Sequence, residues 1–172
     1  MSEFDFLKPK FENIPDRLKE QPWAVWIAEP RANRPGKFDK APRNPLTGVR
    51  IGTDKPHLFG TYDQARSAYE TSNGRYTGVG VLLTGNGIIG VDIDEVKATM
   101  LDRPTIKDWI HAAANDGAYC EVSPSGTGFR LFMLGDPLPK GVKRKHGHLE
   151  IYDDVRFLTV TGHQIKWGND NA

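Results

Sequence analysis

The sequence is poor in cysteine and has almost no net charge. Cys120 is the single cysteine, and the formal net charge is +1 over 172 residues. One thiol excludes an internal disulfide and a zinc site built from cysteines, so we interpret Cys120 as a packing residue in a predicted strand. A balanced charge does not by itself indicate a nucleic-acid-binding protein, although clustered cations could still form a basic face.

Long apolar runs are also missing. No stretch approaches the length that spans a bilayer, which predicts that no part of the chain lies in a membrane. Residues 1–10 alternate acidic, aromatic and basic side chains and lack the apolar centre of a signal peptide, so we expect a cytoplasmic protein. The phosphate-binding pattern G-x-x-x-x-G-K-[S/T] does not occur, so the sequence encodes no helicase motor of that type.

What is present has the composition of a globular protein, with 38% hydrophobic and 26% charged residues. At this length we predict one domain over residues 1–172, with a folded core of about residues 20–165. The polar residues 166–172 indicate the start of a linker.

Glycine and proline divide the chain into short elements. We predict strands at residues 23–28, 78–83, 88–93, 119–122, 128–134, 148–152 and 157–161. Helices are predicted at Tyr62–Thr71, with Thr61 as N-cap, and at residues 104–115. Residues 29–53 are predicted to form a long ordered loop, and Thr84-Gly85-Asn86-Gly87 a hairpin turn. Because strands outnumber helices, the expected class is α+β with a mixed or antiparallel sheet.

The sharpest chemical pattern is Gly90-Val91-Asp92-Ile93-Asp94. Strand alternation sends Val91 and Ile93 to one face and both carboxylates to the other. Repulsion between neighbouring carboxylates is offset by a divalent cation, so the pair could hold Mg²⁺ or Mn²⁺. Two such ions could activate an attacking hydroxyl and stabilise a leaving pyrophosphate. From the residues alone, an edge strand with two solvated aspartates is the alternative.

A loop of small residues, SPSGTG, precedes a predicted strand. Glycine lets backbone amides approach an anion, hydroxyl side chains add donors, and arginine adds a fixed positive charge. An ordinary hairpin turn uses the same residue types and is the alternative. The nucleotide-phosphate site predicted here consists of Ser123, Ser125, Gly126, Thr127, Gly128 and Arg130.

Two later residues are further candidates. In the predicted strand HLEIY, alternation places Glu150 opposite its core-facing neighbours, which makes it a candidate third carboxylate. Arg156, where the next strand begins, could reach a nucleotide phosphate or pair on the surface with Asp153 or Asp154.

The densest basic segment is residues 140–146, which contains Lys143, Arg144 and Lys145. Beside a catalytic cleft, these three cations could contact the phosphates of a DNA template or primer. A solvated loop is the alternative from the sequence alone.

Three segments in order resemble the motifs of the archaeo-eukaryotic primase superfamily, in particular the primase-polymerase domains of phages and plasmids: GVDIDEV, EVSPSGTGFR and LEIYDDVRFLTVTG. Upstream, the segments WAVWIA, KAPRNP, TG and GTD resemble the N-terminal module of the same enzymes. The resemblance covers residues 23–162, and the ordered set is more specific than any one motif.

The resemblance implies a primase-polymerase fold, in which an N-terminal α/β unit packs on a sheet module related to RNA-recognition domains. The active site would lie between the two. It also implies that Lys40 and Asn44 lie in the N-terminal module near the nucleotide or template, and that Arg156 contacts the nucleotide. The implied ligands of the catalytic Mg²⁺ or Mn²⁺ are Asp92, Asp94 and Glu150.

The implied activity is that of a DNA-directed nucleotidyltransferase, a primase or DNA polymerase, in phage, prophage or plasmid replication. Its partners would be dNTPs or NTPs, single-stranded DNA template and primer, and a helicase encoded downstream or as a separate protein. Arg130 stands where the family commonly has histidine, which affects steps that need a neutral imidazole more than phosphate binding. A catalytically weak module that binds nucleotide or single-stranded DNA is therefore an alternative, and a metal-dependent nuclease is a third hypothesis.

Overall fold

A computed structural model describes residues 4–96 and 105–166 of the chain. In these ranges the helices are α1 (Asp16–Lys19), α2 (Tyr62–Thr71) and α3 (Thr105–Asn115), with single 3₁₀ turns at Phe11–Asn13 and Pro56–Leu58. None of the helices so described is long and apolar enough to cross a membrane. The strands are β1 (Trp23–Trp26), β2 (Glu29–Pro30), β3 (Phe38–Asp39), β4 (Pro42–Arg43), β5 (Gly78–Thr84), β6 (Ile88–Ile93), β7 (Tyr119–Val122), β8 (Phe129–Leu134), β9 (Lys145–His146), β10 (Leu149–Tyr152) and β11 (Asp154–Val160).

The strands build two sheets and one small hairpin. Sheet 1 has the order β11-β5-β1-β4, sheet 2 has the order β7-β8-β6-β10-β9, and β2 pairs with β3. Each of these pairings is antiparallel. The architecture is therefore α+β with antiparallel sheets, which confirms the predicted class.

Helix α2 has ends that follow from local sequence. The Thr61 hydroxyl accepts a hydrogen bond from Gln64 N at 3.2 Å, and the Gln64 side chain accepts one from Thr61 N at 3.0 Å. This reciprocal pair satisfies two backbone amides that the helix itself cannot. The helix buries Tyr62 and Ala65 in the core with sheet 1, and Asn73 beyond its end has a left-handed φ of 52°. The predicted helix and its N-cap are confirmed.

The predicted hairpin at residues 84–87 is wrong, although both flanking strands are present. β5 pairs with β1 and β11 in sheet 1, whereas β6 pairs with β8 and β10 in sheet 2. The β5–β11 and β6–β10 pairs therefore form one long antiparallel ribbon that bends from one sheet into the other. At the bend Gly85 N donates to Asp153 O at 2.9 Å. The positive φ angles of Gly85 and Gly87, 75° and 93°, allow the chain to bend there.

The chain changes sheet a second time after β11. Ile165 N donates to Cys120 O at 2.9 Å, so the segment following β11 lies along the edge of β7 in sheet 2. Gly162 makes this turn with a φ of 68°, and a Cβ at that position would collide with the carbonyl of Lys10. Glycine is thus required where the two sheets are joined at this end.

Two hydrophobic clusters hold the layers together. The first joins sheet 1 and α2 to three residues of sheet 2, Ile88, Tyr119 and Phe132. The second lies between α3 and the other face of sheet 2. The members of the second cluster include Val91, Ile93, Leu131, Ile106 and Ile110. The face of β6 that carries Gly90 and Asp92 therefore points toward sheet 1, where Gly90 lies against Leu158 and Leu83.

Other predicted boundaries need adjustment. Residues 29–53, predicted as a loop, contain β2, β3 and β4. β11 begins at Asp154 rather than at Phe157, because Asp153 alone connects it to β10 and a register shift follows at Val155. The predicted helix start at Pro104 and the predicted linker beyond Lys166 lie outside the described residues.

Gly128, immediately before β8, lies too close to the backbone of β6 for a side chain. A Cβ there would lie 2.6 Å from the carbonyl oxygen of Ile93, at the end of β6, and backbone atoms cannot easily move aside. We expect Gly128→Ala to lower the free energy of unfolding by about 1–3 kcal/mol, measured by urea denaturation. Gly135→Ala is the matched control after β8, because its Cβ would approach only the flexible end of Ile89. Equal losses in the two variants would contradict this account.

Candidate active site

A row of five charged side chains, which we call the charged row, crosses sheet 2 from β7 to β9. The register pairs Glu121 with Arg130, Arg130 with Asp92, Asp92 with Glu150, and Glu150 with Lys145. Directly opposed residues of antiparallel strands project from the same face, with Cβ atoms about 4.5–5.5 Å apart. The charged row therefore lies on the face of sheet 2 that points away from α3.

Arg130 ties the charged row to the opposite sheet. Its Nε donates to Asp92 Oδ1 at 3.2 Å, and a terminal guanidinium nitrogen donates to the backbone oxygen of Thr159 on β11 at 2.6 Å. Arg130 is only 6% exposed. A buried guanidinium of this kind needs a carboxylate and further acceptors, and both sheets supply them.

A cleft of about 350 Å³ opens between the two sheets beside Arg130, and we call it the carboxylate cleft. Asp92 and Asp94 line it from sheet 2, because Val91 and Ile93 point the other way into the α3 core. The alternation predicted for this segment is confirmed. Sheet 1 contributes β11 and Pro42 of β4 to the wall, and the rest comes from Arg31, Phe38, Lys40 and Thr53.

Lys40 is the one predicted residue of the N-terminal part that lies in the carboxylate cleft. Its Nζ is 5.9 Å from the ring centroid of Trp26. Burial, and then the positive charge of Arg130, lower the pKa of Lys40 to about 8, against the opposite effect of Asp92 and Asp94. The cleft therefore presents an amine that is protonated at neutral pH and poorly solvated, which suits an anionic ligand.

Asp94 stands at the mouth of the carboxylate cleft, where its side chain is exposed. Partial desolvation by the surrounding protein, and then the charge of Asp92, raise the pKa of Asp94. Arg130 and Lys40 act in the opposite direction. The raised pKa therefore reflects partial burial first and the neighbouring carboxylate of Asp92 second.

Glu150, the predicted third carboxylate, is opposite Asp92 in the sheet, and its oxygens are engaged by other side chains. Oε1 accepts from Lys145 at 2.9 Å, and Oε2 accepts from the Tyr152 hydroxyl at 2.8 Å and from Arg156 at 3.0 Å. Partial burial raises its pKa, but these bonds and charges outweigh that effect and lower the pKa of Glu150 overall.

Arg156 lies at the edge of the carboxylate cleft. Its guanidinium carbon is 4.3 Å from the ring centroid of Tyr152, and its ion-pair partner is Glu150 rather than Asp153 or Asp154. Of the two alternatives that the sequence left open for Arg156, the surface pair with a neighbouring aspartate is therefore wrong.

The Ser123–Gly128 loop forms the turn between β7 and β8, and polar contacts within the loop stabilise it. The buried Ser123 hydroxyl accepts from Gly128 N at 3.0 Å, and the hydroxyls of Ser125 and Thr127 lie 2.9 Å apart. Gly126 has a φ of 77°. Ser125 and Thr127 line a second cleft, of about 440 Å³, which adjoins the carboxylate cleft. The loop therefore lies beside the candidate site: it lines the second cleft, whereas β11 lines the carboxylate cleft.

Asn44 lies outside both clefts, and its side-chain amide forms hydrogen bonds to nearby backbone groups. Nδ2 donates to Leu58 O at 2.7 Å, while Oδ1 accepts from Leu46 N and Thr47 N at 2.8 and 3.1 Å. Asn44 is not among the described residues that line the two adjoining clefts. Its observed contacts are those of a turn-forming asparagine.

Two of the three predicted DNA-contacting cations are paired within the protein. Arg144 bonds Asp153 Oδ1 at 2.8 Å, and Lys145 bonds Glu150 at 2.9 Å. Lys143 is exposed. Arg144 and Lys145 would have to leave acidic partners that are 11% and 15% exposed in order to reach DNA phosphates.

Sequence reasoning did not find Glu121, the buried end of the charged row. Its Oε1 accepts from Thr161 N, and its Oε2 accepts from Gly162 N and the Tyr119 hydroxyl, each at 2.9 Å. Burial raises the pKa of Glu121 to about 7, although these bonds favour the carboxylate. A charged residue in the apolar predicted strand YCEV was the available signal. Phe38 and Thr159 had no comparable signal, since their positions depend on long-range packing.

The acidic side chains of the carboxylate cleft fit a divalent cation in part. Asp92 and Asp94 are neighbouring oxygen donors at a solvent-accessible cleft, as such a cation requires. Glu150 has both oxygens bonded to cationic or hydroxyl groups. Within residues 4–96 and 105–166, no three His, Cys, Asp or Glu side chains are grouped closely enough to hold a metal ion. The two aspartates are thus the candidate ligands in this arrangement.

Comparison with models of known protein families and with curated proteins gave no match to this chain. Its function has therefore to be inferred from the clefts and the charged row.

The lowered pKa of Lys40 can be measured directly. Reductive methylation with ¹³C-formaldehyde gives each lysine an NMR signal, and Lys40→Arg identifies the signal of Lys40. We expect this signal to titrate near pH 8, below the ordinary value for a lysine side chain. Asp92→Asn should lower the midpoint further, because it removes an anion that favours the protonated amine. An ordinary lysine midpoint for Lys40, or an upward shift in Asp92→Asn, would contradict the described electrostatics.

Proposed function

We propose that this chain is the catalytic domain of a DNA-directed nucleotidyltransferase with a primase-polymerase fold, which builds or extends primers on single-stranded DNA. The observation that carries the proposal is the grouping of Asp92 and Asp94 with the poorly solvated Lys40 in one cleft between two sheets. Paired carboxylates and a desolvated cation are what a nucleoside triphosphate and its metal ions require.

The sequence resemblance supports the same proposal from a different direction. Its first motif supplies Asp92 and Asp94, its second supplies Arg130, and its third supplies Glu150 and Arg156. These residues come from four strands and meet in or beside the carboxylate cleft. This grouping is the one that the resemblance implies for these residues, and it supports the proposal in that sense.

The residues take different parts in the proposed reaction, in which a 3′-hydroxyl attacks an α-phosphorus and pyrophosphate leaves. A divalent cation held by Asp92 and Asp94 would stabilise negative charge on the reacting phosphate oxygens. Lys40 and Arg156 bind the triphosphate through charge-assisted hydrogen bonds. Arg130 orients Asp92 through its 3.2 Å bond and balances the carboxylate charge when no substrate is bound.

A second candidate function is a nucleotide- or single-stranded-DNA-binding module with little catalytic activity. The observation in its favour is that protein groups already engage the acids: Arg130 bonds Asp92, and Lys145, Tyr152 and Arg156 bond Glu150. Such a module binds the same ligands in the same cleft and makes no product. In either case, action in phage, prophage or plasmid replication beside a helicase remains part of the proposal.

Asp94→Asn is the variant that tests catalysis most cleanly. Asp94 is exposed, so its replacement leaves the fold intact, whereas Asp92→Ala would leave the buried Arg130 without its carboxylate at a cost of about 3–5 kcal/mol. We expect primer synthesis or extension with Mg²⁺ or Mn²⁺ to fall by about a hundredfold or more in Asp94→Asn, measured on a denaturing gel. Asp108→Asn, an exposed change on α3, should retain wild-type activity.

The outcomes separate the candidates. Full synthesis by Asp94→Asn would overturn the catalytic proposal. Absence of product from the wild-type chain with either metal, together with nucleotide binding, would identify the binding module. Shortening of the labelled DNA in place of elongation would identify a nuclease.

A further inference from the structure

The second cleft, which adjoins the carboxylate cleft, has an aromatic wall, and we call it the aromatic cleft. Its volume is about 440 Å³, the size of a site for one small organic ligand. The wall consists of Phe4, Phe6 and Phe38. The two clefts share four lining residues, Arg31, Phe38, Lys40 and Asp94. A polymer passing through one could therefore continue into the other.

The three rings support one another. Phe38 lies at the centre, with its ring centroid 5.0 Å from that of Phe4 and 5.2 Å from that of Phe6, both edge-to-face. Phe6 in turn contacts Trp26 of β1 at 5.7 Å. Phe4 is nevertheless 44% exposed. An exposed ring fixed by aromatic neighbours is a rigid apolar surface that loses little conformational entropy when a flat ligand packs on it.

The segment that carries Phe4 and Phe6 is anchored at several points. Leu7 N donates to Pro124 O at 2.9 Å, in the turn between β7 and β8. Lys10 N donates to Thr161 O at 2.8 Å, just after β11. On the other side, Gly36 has a φ of 77°, and a Cβ there would touch the Phe4 ring at 3.4 Å. The aromatic wall is therefore built by backbone contacts to both sheets.

Cations and hydroxyls surround the aromatic wall. Lys37 lies 3.7 Å from Glu95, and both side chains are more than half exposed. Arg31 pairs with Asp39 at 2.7 Å, also at the surface. Exposed pairs of this kind contribute little to stability, so phosphate can replace the carboxylate partner at small cost. The combination of stacking rings with cations is the one that single-stranded nucleic acids require.

We propose that the aromatic cleft binds single-stranded nucleic acid, with one base stacked on the exposed ring of Phe4, which Phe38 supports edge-to-face, and the neighbouring phosphate contacted by Lys37. The inference rests on the proposed function, because it assigns the strand that would be copied or extended to a surface beside the carboxylates. The proposal also places the nucleic-acid strand away from the basic residues 143–145. Two of the three cations there are held by more buried acids, whereas the partners of Arg31 and Lys37 are exposed.

The test is binding of a fluorescein-labelled oligo(dT) to the full chain, measured by anisotropy in EDTA so that no synthesis occurs. We expect Phe4→Ala to raise Kd about tenfold with the salt dependence unchanged, because stacking carries no charge. Lys37→Ala should raise Kd and reduce the slope of log K against log salt by about 0.7, the contribution of one phosphate contact. Matched controls on α3 are Trp109→Ala and Lys107→Ala, both at exposed positions, and these should leave Kd unchanged.

A second measurement does not depend on variants. An oligonucleotide containing 5-iododeoxyuridine, irradiated on the wild-type protein, should crosslink to a peptide containing Phe4, Phe6 or Phe38. Unchanged Kd in both cleft variants, a crosslink confined to other peptides, or no binding of oligo(dT) by the wild type would each overturn the proposal. A nucleoside triphosphate titration of the same variants distinguishes the ligands: loss of triphosphate binding with intact oligo(dT) binding would assign the cleft to the free nucleotide and also overturn it.

The oligo(dT) binding test and the synthesis test of the proposed function can succeed or fail independently. If Asp94→Asn abolishes synthesis while Phe4→Ala and Lys37→Ala bind oligo(dT) normally, the enzyme assignment stands and only the strand site fails. If the wild type makes no product but binds oligo(dT) through the aromatic cleft, the strand site stands and the catalytic assignment fails.

Discussion

The candidate site depends on the bond network of Arg130. Its guanidinium joins a carboxylate of sheet 2 to a backbone oxygen of sheet 1, and it does so while almost fully buried. A buried charge without such partners is strongly unfavourable, so the two sheets must approach at the separation that satisfies both bonds. That separation sets the width of the carboxylate cleft, and the same bond fixes the orientation of Asp92. One side chain therefore links the packing of the layers to the placement of the proposed catalytic acid.

The charged row also shows how the acidic side chains of the site are compensated and why their pKa values are shifted in different directions. Asp92 and Glu150 are like charges directly opposite each other, which is unfavourable in a sheet unless cations offset them. Arg130 compensates on one side and Lys145 with Arg156 on the other. Asp94, one position beyond the strand, has no place in this row, and its pKa is raised while that of Glu150 is lowered. The pKa of Asp94 is raised by partial burial and then by Asp92, whereas bonds from Lys145 and Tyr152 lower that of Glu150.

Local sequence was sufficient to predict the features of the structure that depend on local interactions. The capping residues of α2 and the alternation that separates Val91 and Ile93 from Asp92 are both local, and both predictions are confirmed. The hairpin prediction failed because Gly-Asn-Gly specifies only a sharp change of direction. Whether β5 then pairs with β6 depends on β11 and β10, which lie some 70 residues further along the chain. The buried state of Glu121 and the aromatic wall were unpredictable for the same reason, since each needs segments from distant parts of the sequence.

The position of β11 has a consequence for the protein during its synthesis. The residues Lys40, Asp92 and Arg130 leave the ribosome well before β11, which carries the Thr159 carbonyl and one wall of the carboxylate cleft. Until β11 emerges, β5 in the nascent chain has one hydrogen-bonding edge without its native strand, and Val79, Val81 and Leu83 lie on that strand. An open apolar edge of this kind pairs readily with another chain. Pairing of β11 with β5 therefore both completes the wall of the carboxylate cleft and covers this apolar edge.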